Sequence, residues 1–457
     1  MRILSVTAGA ASMYCGSCLR DNALAAQLIA RGHDVTLIPL YTPLRTDEAN
    51  VTRPDVLFGG ISIYLQHQSA LFRRLPRFID RLLDSPWLIR TFADRSMSVD
   101  PKFLGGLTLS MLDGPAGVLR KEFDKLVAWV REEPRPDIVT ITNSMLIGLA
   151  RPLADALQAP VCCTLQGEAL FLEGLVEPYR SRALERIRTQ VADVDRFVAI
   201  SDFEADFMRD YLRIPAAKMA VVPLGVRTKD FEDAEGREDA PLDFARGALS
   251  ASRRAEAPSA EVFTIGFLGR IAPEKGLHLL ADAFIRLRRK AGAARMRLEA
   301  AGYMAAAHKP YLAGVQRTLE QAGLLGDFTY HGEVDRRGKV GFLRGIDVMS
   351  MPATYDEPKG FTLLEAMASG VPVVEPRRGA LSEIVERTGG GLLVAPDDPD
   401  ALADGLCRIW NDRSLRHELG RRGREGVLRH YTIESSTDAL IRVYEGVTEN
   451  GGDGGNG

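Results

Sequence analysis

The chain has 457 residues, 46% of them hydrophobic, enough apolar side chain for more than one core, so two domains are expected. Lys and Arg number 58 against 61 Asp and Glu, a net charge of −3, which leaves no basic footprint for sequence-independent nucleic-acid binding. Nucleic acid is not expected as a substrate.

Residues 1–6 lack the charged region, long apolar stretch and cleavage site of a signal peptide and read as a buried first strand. Strand patterns follow at 3–7, 35–39, 137–141, 161–165, 196–200 and 219–223, with a loop through Gly16 and a helix over about 21–31. This series makes a first domain over 1–226, interrupted by a long insertion at 41–129. Residues 227–261 are charged and Ala/Ser-rich with no sustained period, which marks a linker or surface insertion.

A second series occupies 263–268, 296–300, 328–331, 348–351, 371–374 and 392–394, within a domain over 262–430. The fold class is therefore α/β, two Rossmann-like domains facing each other across a hinge. An apolar helix at 431–449 is expected to cross back to the first domain. Residues 450–457 hold no side chain able to build a core and are expected to be disordered.

Two segments carry chemistry. Residues 357–370 set Glu357 and Glu365 on either side of a Gly360-led turn that opens an apolar helix, an arrangement suited to polyhydroxyl groups. Residues 269–276 place Arg270 and Lys275 at the end of a buried-strand pattern, after Gly269, as a phosphate site requires. Hydroxyls and phosphates together point to a nucleotide sugar. The plain alternatives are a solvated glutamate pair and an exposed pair of cations near a loop.

These residues, with Gly32-His33-Asp34-Val35, Val222-Pro223-Leu224-Gly225-Val226, Pro372, Gly379 and Glu383-Ile384-Val385, give a chain that resembles the retaining glycosyltransferases of family 4, the group with the two-domain GT-B fold. The resemblance runs over nearly the whole length. It implies transfer of a sugar from a UDP- or GDP-linked donor to a sugar, lipid-linked or small-molecule acceptor, with retention of configuration. It further implies that Glu357 accepts hydrogen bonds from the donor sugar and Glu365 from the ribose. Backbone amides near Gly360, Phe361 and Thr362 would meet the diphosphate or sugar. Arg270, Lys275 and Glu357 become the catalytic candidates, with front-face attack and no covalent nucleophile; no cofactor is expected, and two fixed cations with no obvious acidic triad make a bound divalent metal unnecessary.

Two positions depart from the family pattern. Cys15 stands where the first of a glycine pair is usual, leaving Gly16 as the donor-binding glycine, and Gln166 stands where many members carry a histidine. Gln166 is a sugar-binding candidate or a strand-end polar group. Cys15 and Cys18 read as loop packing, with a redox pair or half a zinc site as alternatives. The five cysteines form no secreted disulfide framework, and a cytoplasmic location follows. Within the insertion, residues 72–83 mix basic and apolar groups, as either a membrane-contacting helix at the inner face or a core helix would. Competing classes are an epimerase or phosphorylase of the same plan and a noncatalytic sugar-binding relative.

Overall fold

A computed structural model of the protein describes residues 1–9, 16–44, 46, 48–53, 101–232, 262–292 and 295–452. The chain divides into two compact units, Met1–Gly225 with Ile433–Gly457, and Val226–Thr432.

The first unit holds a six-stranded parallel sheet of β1 (Arg2–Thr7), β2 (Asp34–Pro39), β3 (Ile138–Ile141), β4 (Val161–Leu165), β5 (Arg196–Ala199) and β6 (Met219–Val221), ordered β2-β1-β3-β4-β5-β6. Side chains alternate between two cores, as the twofold period of a strand dictates. Leu4, Val6, Val139, Cys163 and Phe197 enter one core, while Ile3, Ile138, Cys162 and Val198 enter the other. The adjacent Cys162 and Cys163 therefore point to opposite faces. Burial pushes the Cys162 thiol up to about 12 and that of Cys163 well above its ordinary value, so both behave as apolar packing groups.

The second core also takes Leu24 and Leu28 from the helix Gly16–Ala30 and Leu440, Tyr444 and Val447 from the helix Ile433–Gly452. Burial of each such side chain stabilises by roughly 1.5–3 kcal/mol, which accounts for the placement of the last helix in this unit. That helix continues to Gly452, so Asn450–Gly452 are helical where disorder was expected; backbone N–H groups bond to carbonyls four residues earlier and need no apolar side chain of their own. Residues 453–457 lie outside the described residues. The helix after β1 likewise starts at Gly16, five residues before the expected Asp21, and its first turns bury Cys18 and Arg20. Gly16 is thus the first helical residue instead of part of a loop.

The second unit holds β7 (Phe263–Leu268), β8 (Met296–Ala301), β9 (Phe328–Tyr330), β10 (Val348–Met349), β11 (Val373–Pro376) and β12 (Gly391–Val394), all parallel, ordered β12-β11-β10-β7-β8-β9. Every residue of β7 is buried, which explains the unbroken apolar run in its sequence. Residues 227–232, assigned to a linker, begin this unit: Val226 pairs with Thr432, and a short helix spans Lys229–Glu232. The remainder of that linker, 233–261, lies outside the described residues, as does 54–100 of the insertion with its basic segment 72–83. The described end of the insertion forms the helices Pro101–Leu112 and Arg120–Glu132.

In each sheet the direction of winding reverses once, between β1 and β3 in the first unit and between β7 and β10 in the second. Chains leaving neighbouring strands there diverge to opposite faces and open a crevice at the carboxyl ends, where doubly wound sheets bind ligands.

Candidate functional site

The switch point of the second unit brings together the segments after β7 and β10. Gly276 adopts φ 78°, and a Cβ on it would lie 1.8 Å from the Pro352 carbonyl oxygen, so glycine lets the two segments touch. That contact sets the preceding Lys275 against Tyr355 and Glu357. The Lys275 ammonium donates to Tyr355 Oη at 2.8 Å and forms a short ion pair with Glu357 Oε2, to which Tyr355 Oη also donates. Lys359 N–H donates to Glu357 Oε1 at 3.3 Å. Burial alone would raise the Glu357 pKa, but Lys275 and the hydrogen bonds outweigh it and hold the carboxyl below its usual range. Tyr355 moves upward, through burial first and then the neighbouring Glu357 charge. The result is a preformed ammonium–carboxylate pair fixed by a phenol.

Arg270 follows Gly269 at the end of β7, pairs with Glu274 at 2.8 Å and is two-fifths exposed. Its charge and that of Glu274 act on Tyr355, so it borders the same cluster. Glu375 of β11 is wholly buried. One of its oxygens accepts the Met351 N–H at 2.9 Å and the other has no partner among the described residues. Burial pushes this carboxyl up to about 8, and the Glu357 charge adds to the shift.

Glu357 leads through Gly360, at φ 73°, into the helix Phe361–Ala368. A Cβ at Gly360 would lie 2.5 Å from Ile384 Cδ1 of the following helix Gly379–Thr388, so the turn packs tightly there. Phe361 and Thr362 form the first turn of the helix, whose N–H groups have no acceptor within the helix. Glu365 stands on the next turn, buried, with Lys339 Nζ at 2.8 Å and Arg336 Nη1 at 3.3 Å, both on Oε1. The two glutamates thus have separate cationic partners: Lys275 serves Glu357, and the helix Arg336–Arg344 serves Glu365. Sequence reasoning missed Arg336 and Lys339. Their spacing of three on a helix that follows an Asp335 cap placed both on one face, but nothing in it named the face of Glu365.

In the first unit, Gln166 follows β4 and is buried, with Nε2 donating to Asp21 Oδ1 at 3.1 Å and to the Thr142 carbonyl at 3.2 Å, while Oε1 has no partner among the described residues. Two acceptors beside one end of the amide fix which end carries nitrogen. Asp21 also accepts from Thr7 at 3.0 Å and Thr142 at 2.5 Å, and its nearest cation, Arg20, stands 3.7 Å away. Burial raises the Asp21 pKa despite Arg20 and these hydrogen bonds. Gly16 begins the helix that carries Asp21. Cys15 lies outside the described residues, and Cys18 is buried. Among the described residues no group of three or more His, Cys, Asp or Glu is placed to hold a metal ion, and no helix is long and apolar enough to cross a membrane.

Two doubly wound parallel sheets in separate units define a two-domain Rossmann-like protein of the GT-B fold. Models of two families match the chain, the glycosyl transferase 4-like domain over residues 21–225 and the glycosyl transferases group 1 over residues 250–426. The chain belongs to the family-4 glycosyltransferases. It is 32% identical over 265 residues to D-inositol 3-phosphate glycosyltransferase of Saccharomonospora viridis, covering 56% of each chain. The chain spans about half the length of the first curated relatives it matches. Among solved structures it is similar to sucrose-phosphate synthase from Thermosynechococcus elongatus, at a TM-score of 0.68 and 18% identity over 98% of this chain and 100% of that one. Anabaena HepE in complex with UDP gives 0.66 and 16% over the same shares.

Proposed function

We propose that this protein transfers a sugar from a nucleoside-diphosphate donor to an acceptor hydroxyl with retention of anomeric configuration. The observation that carries the reading is the ion pair of Lys275 and Glu357 at the switch point, in front of the Gly360-led helix that bears Glu365. Glu357, held ionised, accepts hydrogen bonds from hydroxyls of the donor sugar. Lys275, held by Tyr355 and Glu357, is a preorganised cation for the departing diphosphate, and Arg270 is the second. Amides near Gly360, Phe361 and Thr362 meet the same anion at the helix N-terminus. Glu365, whose Oε1 carries both cations, offers Oε2 to the ribose diol. Gly16 and Gln166 are the donor-binding candidates of the first unit, Gln166 through an Oε1 that has no partner among the described residues.

Charge grows on phosphate oxygen as the glycosidic bond breaks, and fixed cations stabilise that state more than the intact donor. The base of the donor is uracil or guanine, with UDP-sugars the first to try because HepE was solved with UDP. The acceptor is a sugar, a lipid-linked sugar or another small hydroxyl compound. The protein works in the cytoplasm, at the inner membrane face where the acceptor is lipid-linked. Incubation with a panel of UDP- and GDP-sugars, with and without acceptor candidates, should release free nucleoside diphosphate from one donor, and turnover should survive EDTA. Release from no donor under any condition overturns the proposal.

A further inference from the structure

Arg336 makes contacts that a mere counter-ion for Glu365 does not need. Its Nη1 reaches Glu365 Oε1 at 3.3 Å, while its Nε and Nη2 meet Asp230 Oδ2 at 3.0 and 2.9 Å. Nη2 also donates to the Arg227 carbonyl at 3.0 Å, and the guanidinium lies 4.9 Å from the ring centre of Phe231. Asp230, Arg227 and Phe231 all belong to the seven residues by which the chain enters the second unit. That entry is tied to the exit: Val226 pairs with Thr432, and its N–H donates to the Tyr431 carbonyl at 2.8 Å. Both crossings between the units therefore meet in one small structure, and one planar fork joins it to the glutamate assigned to the ribose.

A guanidinium is suited to this task because its donors diverge in a fixed plane, so a shift at one end is felt at the other. Lys339, on the same Glu365 oxygen at 2.8 Å, keeps that carboxylate compensated if Arg336 is pulled away. Arg336 itself is four-fifths buried, whereas Asp230 is nearly half exposed, so the outer end of the link yields more readily than the inner end.

We infer that Arg336 is a positioning residue that couples occupancy of the ribose site at Glu365 to the chain crossing at residues 226–231. The inference rests on the donor-site reading of Glu365 given above. A ribose hydroxyl that donates to Glu365 Oε2 draws carboxylate charge away from Oε1, the oxygen Arg336 holds, and the guanidinium shifts its share of bonding toward Asp230 and the Arg227 carbonyl. The crossing then tightens when nucleotide is bound. Arg336 touches no reacting atom in this account.

Hydrogen exchange of the full chain, with and without saturating UDP and separately GDP, tests the link. In the wild type, peptides covering 361–368 and 226–231 should both gain protection, with exchange at 226–231 slowed about threefold or more. Asp230→Ala should keep the gain at 361–368, keep nucleotide affinity within about threefold and an unchanged melting temperature, yet lose the gain at 226–231. Asp230→Asn, which retains an acceptor oxygen, should restore most of it. Protection at 361–368 with none at 226–231 in the wild type overturns the coupling and leaves the donor site standing, as does an Asp230→Ala protein whose 226–231 still responds. Failure of both nucleotides to protect 361–368 overturns the donor site and the coupling together.

Discussion

Asp21 and Glu357 stand in corresponding places, each a buried carboxyl group beside the switch point of a parallel sheet, yet their charges are governed in opposite senses. Glu357 is in direct contact with the Lys275 ammonium and is held below its ordinary pKa. Asp21 accepts from two hydroxyls and an amide, has its cation at 3.7 Å, and is raised. Glu375, with one backbone N–H and no cation among the described residues, goes to about 8. Burial is common to all three, so it does not decide their state. What decides it is a cation within hydrogen-bond reach, because only a full opposite charge repays the lost hydration of a carboxylate.

The contrast breaks most visibly at Lys275. Lys275→Ala leaves Glu357 as an uncompensated buried charge, so stability should fall by about 3–5 kcal/mol. Turnover should fall about 10³-fold, and near-normal transfer would refute the role of the ammonium. Arg270→Ala removes a cation that is two-fifths exposed and, among the described residues, paired only with Glu274, so turnover should drop about 10²-fold while the melting temperature stays put. Equal losses of stability in the two variants would erase the distinction between a fixed and an exposed cation.

Glu375 sharpens the comparison through pH. Its folded pKa of about 8 lies above the ordinary 4.5, so its contribution to stability is full below the unfolded value and is lost as pH rises through about 8. Glu375→Gln should therefore match the wild type at pH 5 and exceed it by a few kcal/mol, on the order of 2–4, at pH 9, as read from denaturant midpoints. A variant less stable at both pH values would mean that the carboxyl is ionised after all. Glu357 carries the reverse sign: its depressed pKa stabilises above about 4.5 and that contribution is lost as pH falls through the folded value.

The smallest effect belongs to Tyr355. Tyr355→Phe removes one donor from Glu357, costs about 1 kcal/mol and leaves the ammonium in place. Its loss should move the acid limb of the pH–rate profile to higher pH, because the ionised carboxylate is then less well held. An unmoved limb would take Glu357 out of the rate-determining ionisation.

Much of the architecture was legible as pattern. The twelve expected strands correspond to β1–β12, since parallel strands buried on both faces announce themselves as short apolar runs. Their ends shifted where local hydrogen bonding intervened. The strand expected at 371–374 runs Val373–Pro376, because Gly370 and Val371 spend their N–H groups on Met367 and Ala366 at the end of the preceding helix. Of the site, Arg270, Lys275, Glu357, Gly360 and Glu365 were readable from spacing and resemblance. Tyr355, Arg336, Lys339, Asp21 and Glu375 were not, since each acquires meaning from a partner distant in the chain: Lys275 is 80 residues from Tyr355, and Gln166 is 145 from Asp21.

The amino-acid order by itself determined the two series of strands and helices, the carboxyl-end loops that bear the charged groups, and the glycines at 276 and 360 that let those loops turn. Periodicity and turn chemistry act over a few residues and survive in a linear reading. Which carboxyl meets which cation, and hence which is ionised, was decided only by tertiary structure. A pKa depends on solvent exclusion and on contacts of a few ångströms, and neither exists until the segments after separate strands are folded against one another.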